Sequence, residues 1–237
     1  MFPSEANVIS HSCHADTARD SASETTPVPP KTLITNTLNA FLETELPSRC
    51  VGAVREILPG DEQFLTAVEA RAIDHAVLPV KRSSGAGRFL ARQLCARIGF
   101  PVLEIPRSSL RYPVWPSGLV GSISHDREFS AAVVGLSASV TGIGIDIESQ
   151  EQVCPEVASL VASNDELQSF SDIEFGAKAV FSIKEAVFKA VYPNDRIFLE
   201  FEDVLIDRRH AIAQTIYDTV VHWRMFTAPR VLAVAWY

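Results

Sequence analysis

Apolar residues recur along the chain with two different periods, and the changes from one period to the other mark its elements. Leu33, Leu38, Phe41 and Leu42 fall on one face of a helix, and Val51–Leu58 follows as a strand. Pro59-Gly60-Asp61 punctuates, and Asp61 is placed to cap a helix running to about Val77 on Phe64, Leu65, Val68, Ala72 and Ile73, closed by Pro79. A second helix is expected over Lys81–Gly99, entered through Ser83-Ser-Gly-Ala-Gly87, with Phe89, Leu90, Leu94 and Ile98 on its apolar side. Short strands follow near Val102–Ile105, up to His125, at Ala131–Val134 and at 141–148. Two short helices, Pro155–Ala162 and Asp165–Phe170, precede the strongest one, Ile173–Val191, which Pro193 ends. From Phe201 to Tyr237 the pattern alternates well enough for three or four strands. Strands and helices in both halves predict an α+β fold.

The first 30 residues break this pattern: rich in Ser, Thr, Ala and Pro, they cannot bury enough apolar surface to order themselves and are expected to form a disordered tail. His11, Cys13 and His14 within it are more readily incidental than a metal site. The remainder is ordinary globular material, with 47% hydrophobic and 21% charged residues in a chain of 237. A net charge of −8 argues against nucleic-acid binding by bulk electrostatics, so any basic site must be local. Cys13, Cys50, Cys95 and Cys154 have neither disulfide-framework nor zinc-site spacing, and the amino terminus lacks a signal peptide's basic and apolar regions. A cytoplasmic protein is expected. Phe129–Ile145 carries no charge but is broken by glycines and serines, and reads as two buried strands rather than a membrane span.

Candidate chemistry concentrates in Thr141-Gly-Ile-Gly-Ile-Asp-Ile-Glu148. In a strand, Asp146 and Glu148 share one side while Ile143, Ile145 and Ile147 point to the other. Two neighbouring carboxylates repel, so the pair requires a counter-charge, a shared proton or solvent; a hard divalent ion such as magnesium meets that need where the substrate carries phosphates. An edge strand with a wet outer face is the plainer alternative. On the second helix Arg88 and Arg92 are neighbours, with Lys81 and Arg82 just upstream and little acid nearby, which suggests an anion site or a solvated basic face. His125 follows Gly121, Ser122 and Ser124, whose small side chains leave room for a ligand. Glu185 and Lys189 share a face of the long helix at i, i+4.

Four motifs in order are more specific than any one of them: Trp115-Pro-Ser-Gly118, Gly121-Ser-Ile-Ser-His125, Gly144-Ile-Asp-Ile-Glu148 and Ser182-Ile-Lys-Glu-Ala-Val-Phe-Lys-Ala190. From about Ala70 to Asp203, including Phe201-Glu-Asp203, the chain resembles the 4′-phosphopantetheinyl transferases represented by the enterobactin synthase component D proteins. The resemblance implies two similar α/β halves, 31–137 and 138–237, related by a pseudo-twofold with the active site in the cleft between them. It also implies transfer of phosphopantetheine from coenzyme A to a serine of an apo acyl or peptidyl carrier protein, with 3′,5′-ADP leaving, in siderophore or other secondary-metabolite pathways such as that of enterobactin. Asp146, Glu148 and Glu185 match the family's Mg²⁺ ligands, with Mn²⁺ an alternative ion, and Glu185 is also the implied base. Lys189 matches the lysine on the diphosphate and acts with Glu185; Lys184, His125 and Arg92 match coenzyme A contacts. The basic helix reads Lys81-Arg82, a Ser-Gly segment, then Arg88-Phe-Leu-Ala-Arg92, so both Arg82 and Arg88 are candidates for the 3′-phosphate. The position after the histidine, often cysteine in the family, is Asp126. A monomer is expected. A metal-dependent phosphohydrolase and a catalytically silent coenzyme A-binding module are the alternatives.

Overall fold

The computed structural model describes residues 29–237, so the expected tail lies outside the described residues except for Pro29 and Pro30, and His11, Cys13 and His14 lie outside them altogether. The fold is α+β. Helix α1 (Lys31–Glu45) buries Ile34, Leu38 and Leu42, one position round from the expected face, and leaves Leu33 54% exposed. Strands β1 (Cys50–Glu56), β2 (Leu119–His125) and β3 (Phe129–Leu136) form an antiparallel sheet in the order β1-β3-β2. Strands β4 (Ile143–Glu148), β5 (Val204–Asp207), β6 (Ile212–Thr215), β7 (Val220–Phe226) and β8 (Val231–Trp236) form a second, in the order β4-β8-β7-β6-β5. Short helices α4 (Pro155–Val161) and α5 (Asn164–Ser169) precede α6 (Gly176–Asp195). No helix among the described residues is long and apolar enough to cross a membrane.

Four local expectations differ from the structure. The helix drawn from Asp61 to Val77 is a 3₁₀ turn over Asp61–Phe64 followed by a short helix α2 (Ala67–Arg71), because Thr66 and Glu69 build a capping box that starts a new helix. Asp61 does not cap it; its carboxylate accepts from the Leu58 amide and pairs with Arg55. Helix α3 (Leu78–Arg97) begins with Pro79 in its first turn, and the serines and glycines expected to lead into it lie inside it. A Cβ on Gly85 would sit 2.0 Å from the Asp61 carbonyl oxygen, so glycine here serves close packing rather than a turn. Residues 102–105 form no strand. Helix α6 starts three residues late and runs through Pro193 to Asp195.

The two sheets share a core. Ile34, Leu38 and Leu42 of α1, Val54 of β1 and Phe129, Ala131 and Val133 of β3 pack with Ile143, Ile145 and Ile147 of β4 and Leu232 and Val234 of β8. Two further cores flank it, one under α3 and a larger one between α6 and the five-stranded sheet.

Candidate active site

Strand β4 is an edge strand of its sheet, but its second face is not wet. The isoleucines at 143, 145 and 147 enter the shared core, and the even-numbered face lies against α6. A Cβ on Gly144 would fall 1.9 Å from the Ala186 carbonyl oxygen, which shows how closely strand and helix backbones approach. Asp146 is thereby buried, where β4 meets the edge strand β2 of the other sheet. Its Oδ1 accepts from Lys189 Nζ at 2.6 Å and from Ser124 Oγ at 3.0 Å, a contact that joins the two sheets. Its Oδ2 is buried without a hydrogen-bond partner. Lys189 Nζ also lies 3.3 Å from Ser124 Oγ and 3.7 Å from Glu185 Oε2.

Glu148 ends the same face, and Lys178 Nζ stands 3.5 Å from its Oε2. Burial, and then the charge of Asp146, push the Glu148 carboxyl up to about 7, against the opposing pull of Lys178 and Lys189. Along α6 the residues 178, 182, 185 and 189 form one stripe at helical spacing. Lys178 and Ser182 in that stripe are buried, and Ser182 Oγ has no hydrogen-bond partner. Lys178 and Ser182 were missed in the sequence, although continuing the Glu185 and Lys189 face two turns toward the amino terminus reaches both. Ser124 was noted only for its small size. The space expected beside Gly121 is filled by the Trp115 indole, whose Cζ2 would lie 2.6 Å from a Cβ there.

The basic helix is less bare than its sequence. Arg82 pairs with Glu62 at 3.1 Å, and Arg92 places Nη1 2.9 Å from Glu69 Oε1 and Nη2 2.6 Å from the Phe64 carbonyl. These acids come from the turn and short helix before α3, which the periodicity had read as one continuous helix. Arg88 is buried, donates to the Ile105 carbonyl at 3.1 Å and to Ser84, and burial holds its guanidinium below the usual range. His125 Nε2 lies 3.3 Å from Ser83 Oγ, so α3 and the end of β2 meet one residue from Ser124. Asp126 accepts from the amides of Glu128 at 2.7 Å and Phe129 at 2.6 Å, closing the β2–β3 turn, and its Oδ2 is 3.0 Å from Arg230 Nε. Lys184 is tied to Glu166 at 3.0 Å and to the Phe201 carbonyl at 2.9 Å.

The structure thus gathers Asp146, Glu148, Glu185 and Lys189 at the seam, sets His125 against Ser83 of α3, and leaves Arg82, Arg92 and Lys184 in separate ion pairs with Glu62, Glu69 and Glu166. Among the described residues no group of three or more His, Cys, Asp and Glu side chains is arranged to hold a metal ion by itself. Two features of the seam would fit a divalent cation: Asp146 Oδ2 has no hydrogen-bond partner, and Glu148 is destabilised as an anion by burial and by its neighbour.

Two antiparallel sheets meet at buried carboxylates and a lysine, beside a histidine and an arginine-bearing helix, and define an α+β protein with a charged seam between its sheets. Comparison with known families refines this class. Residues 68–135 match the 4′-phosphopantetheinyl transferase N-terminal domain and residues 142–235 the 4′-phosphopantetheinyl transferase superfamily. The chain is 30% identical to 4′-phosphopantetheinyl transferase Npt of Nocardia iowensis over 70% of its own length and 76% of that protein's. It is 30% identical to 4′-phosphopantetheinyl transferase Svp of Streptomyces mobaraensis over 57% of each chain. Its identity to enterobactin synthase component D of Salmonella typhimurium is 32%, over 60% of this chain and 56% of that one. For the latter two, the match spans little more than half the relative's length. The chain belongs to the 4′-phosphopantetheinyl transferase superfamily, a family of transferases.

Proposed function

We propose that this protein transfers the 4′-phosphopantetheine group of coenzyme A to a serine hydroxyl of an apo acyl or peptidyl carrier protein and releases 3′,5′-ADP. The observation that carries the reading is the convergence of Asp146, Glu148, Glu185 and Lys189 at the seam, on the two motifs through which the chain resembles the family. Asp146, Glu148 and Glu185 would hold Mg²⁺ or Mn²⁺, which when bound would neutralise charge on the diphosphate. Lys189 would supply the remaining positive charge to the same group, and its contact with Asp146 holds it there beforehand. Glu185 would accept the proton of the carrier serine as its oxygen bonds to phosphorus and the bond to the 3′,5′-ADP oxygen breaks. His125 would hold the 3′-phosphate with Arg82 or Arg88, a reading supported by the contact of His125 with Ser83 on the helix that carries both arginines.

Asp126 is the residue on which a silent binding module would rest, and its charge is taken up by Arg230 and two turn amides. A direct test is incubation with coenzyme A, Mg²⁺ and a panel of apo carrier proteins, read by mass spectrometry. Addition of one phosphopantetheine to a carrier serine is expected. Cleavage of coenzyme A without any carrier would favour a phosphohydrolase instead.

A further inference from the structure

Two short helices with the same kind of cap each set a buried glutamate under one of the two long helices. In α2, Glu69 accepts from the Thr66 amide at 2.9 Å, from Arg92 of α3 at 2.9 Å and from the Ile105 amide at 2.7 Å. In α5, Glu166 accepts from the Ser163 amide at 2.9 Å, from Lys184 of α6 at 3.0 Å and from the Ile206 amide at 3.1 Å. Each cation also donates to a backbone carbonyl, Arg92 to Phe64 at 2.6 Å and Lys184 to Phe201 at 2.9 Å. One carboxylate per half therefore joins a helix cap, a cation on a 20-residue helix and the backbone of the segment that follows it. Such an arrangement fixes the rotation of a long helix about its axis, because a slip of one residue turns every side chain by roughly 100°.

We infer that Lys184 and Arg92 are positioning residues, each locked to its glutamate to aim the site-bearing face of its helix, and that neither contacts substrate. Lys184 is 2% exposed, and it precedes Glu185 directly in sequence. To reach a phosphate it would have to abandon two partners and leave Glu166 charged and buried. The same lock acts on α3, which carries Arg82 and Arg88 and sets Ser83 against His125. The inference deepens the transferase reading and rests on it for its kinetic test.

The test is a pair of double-mutant cycles, Glu166→Gln with Lys184→Met and Glu69→Gln with Arg92→Met, each read three ways: coenzyme A affinity by calorimetry with Mg²⁺, kcat of transfer, and melting temperature. Positioning predicts that each α6 variant lowers kcat by about tenfold or more while coenzyme A affinity stays within about threefold, that Glu69→Gln and Arg92→Met weaken coenzyme A to a similar extent, and that each double variant loses little more than either of its singles. A weakening of coenzyme A by about tenfold or more in Lys184→Met or Arg92→Met, not shared by the partner glutamate's variant, would overturn it. Should a methionine variant fail to fold, the near-isosteric Glu166→Gln alone decides, since an unchanged kcat there sinks the proposal. If the wild-type protein binds no coenzyme A, the transferase reading fails separately; coupled losses of melting temperature would then still support the locks, and strictly additive losses would overturn them.

Discussion

At the scale of single residues, Glu148 carries the clearest consequence of burial. Its carboxyl is raised to about 7 in the folded protein, whereas in the unfolded chain it ionises near the ordinary glutamate value of 4.5. Between those two values the unfolded state releases a proton that the folded state retains, so stability contributed by this group falls as pH rises from about 4.5 to 7 and is flat above. With divalent ions chelated, Glu148→Gln is expected to unfold at higher temperature than wild type at pH 8, by the equivalent of roughly 3 kcal/mol, and to match it near pH 4.5. Equal melting temperatures at pH 8 would count against the raised value. Asp146 makes the complementary case: Asp146→Ala should stay folded and lose about three decades of transfer, or roughly 4 kcal/mol of charge stabilisation, measured as kcat with a carrier protein. Asp146 and Glu148 could be found in the sequence because a two-residue period puts them on one face. Helical spacing puts Lys178 on the face of Glu185 and Lys189, but its partner could not be read, since only the fold brings a lysine 30 residues away to within 3.5 Å of Glu148.

At the scale of elements, the site depends on how closely β4 and α6 approach, and glycine sets that distance. Gly144 has no room for a methyl group against the Ala186 carbonyl and the Ala190 amide. Gly144→Ala should therefore cost about 1–3 kcal/mol in stability and move the acids away from Glu185 and Lys189, which fluorescence-detected unfolding and a transfer assay would read together. Full activity with unchanged stability would show that strand and helix adjust freely. The same principle explains the misreading of α3. Glycine and serine in Ser83-Ser-Gly-Ala-Gly87 have the composition of a loop, but Gly85 against Asp61 and Gly87 against Ile123 and Ser130 are close contacts inside a helix. Composition reports backbone freedom and is silent on whether packing uses it. The strong apolar periodicity of α6, by contrast, was legible because its core face continues through Ala179, Val180, Ile183, Ala186, Val187 and Ala190. The acids that neutralise Arg82 and Arg92 were visible as residues but not as partners, because a capping box breaks the preceding segment and redirects it.

At the scale of the whole molecule, the division of the chain into 31–137 and 138–237 raises the question of whether either half folds alone. The sheets do divide between β3 and β4, but the shared core does not respect that boundary. Ile143, Ile145 and Ile147 of the second half are buried against α1, β1 and β3 of the first. Exposing one such side chain costs about 1.5–3 kcal/mol, so baring three of them, with Leu232 and Val234 beside them, approaches the whole stability of an ordinary domain. Asp146 adds a polar reason, because without Ser124 of β2 its buried carboxylate loses one of its two donors. The intact protein is therefore expected to unfold in one calorimetric transition with equal van't Hoff and calorimetric enthalpies. The separate fragments 31–137 and 138–237 should each show collapsed amide dispersion in NMR spectra. Two resolved transitions, or a well-dispersed spectrum from either fragment alone, would mean that the halves are independent domains, and the active-site seam would then be an interface between bodies free to separate rather than part of a single core.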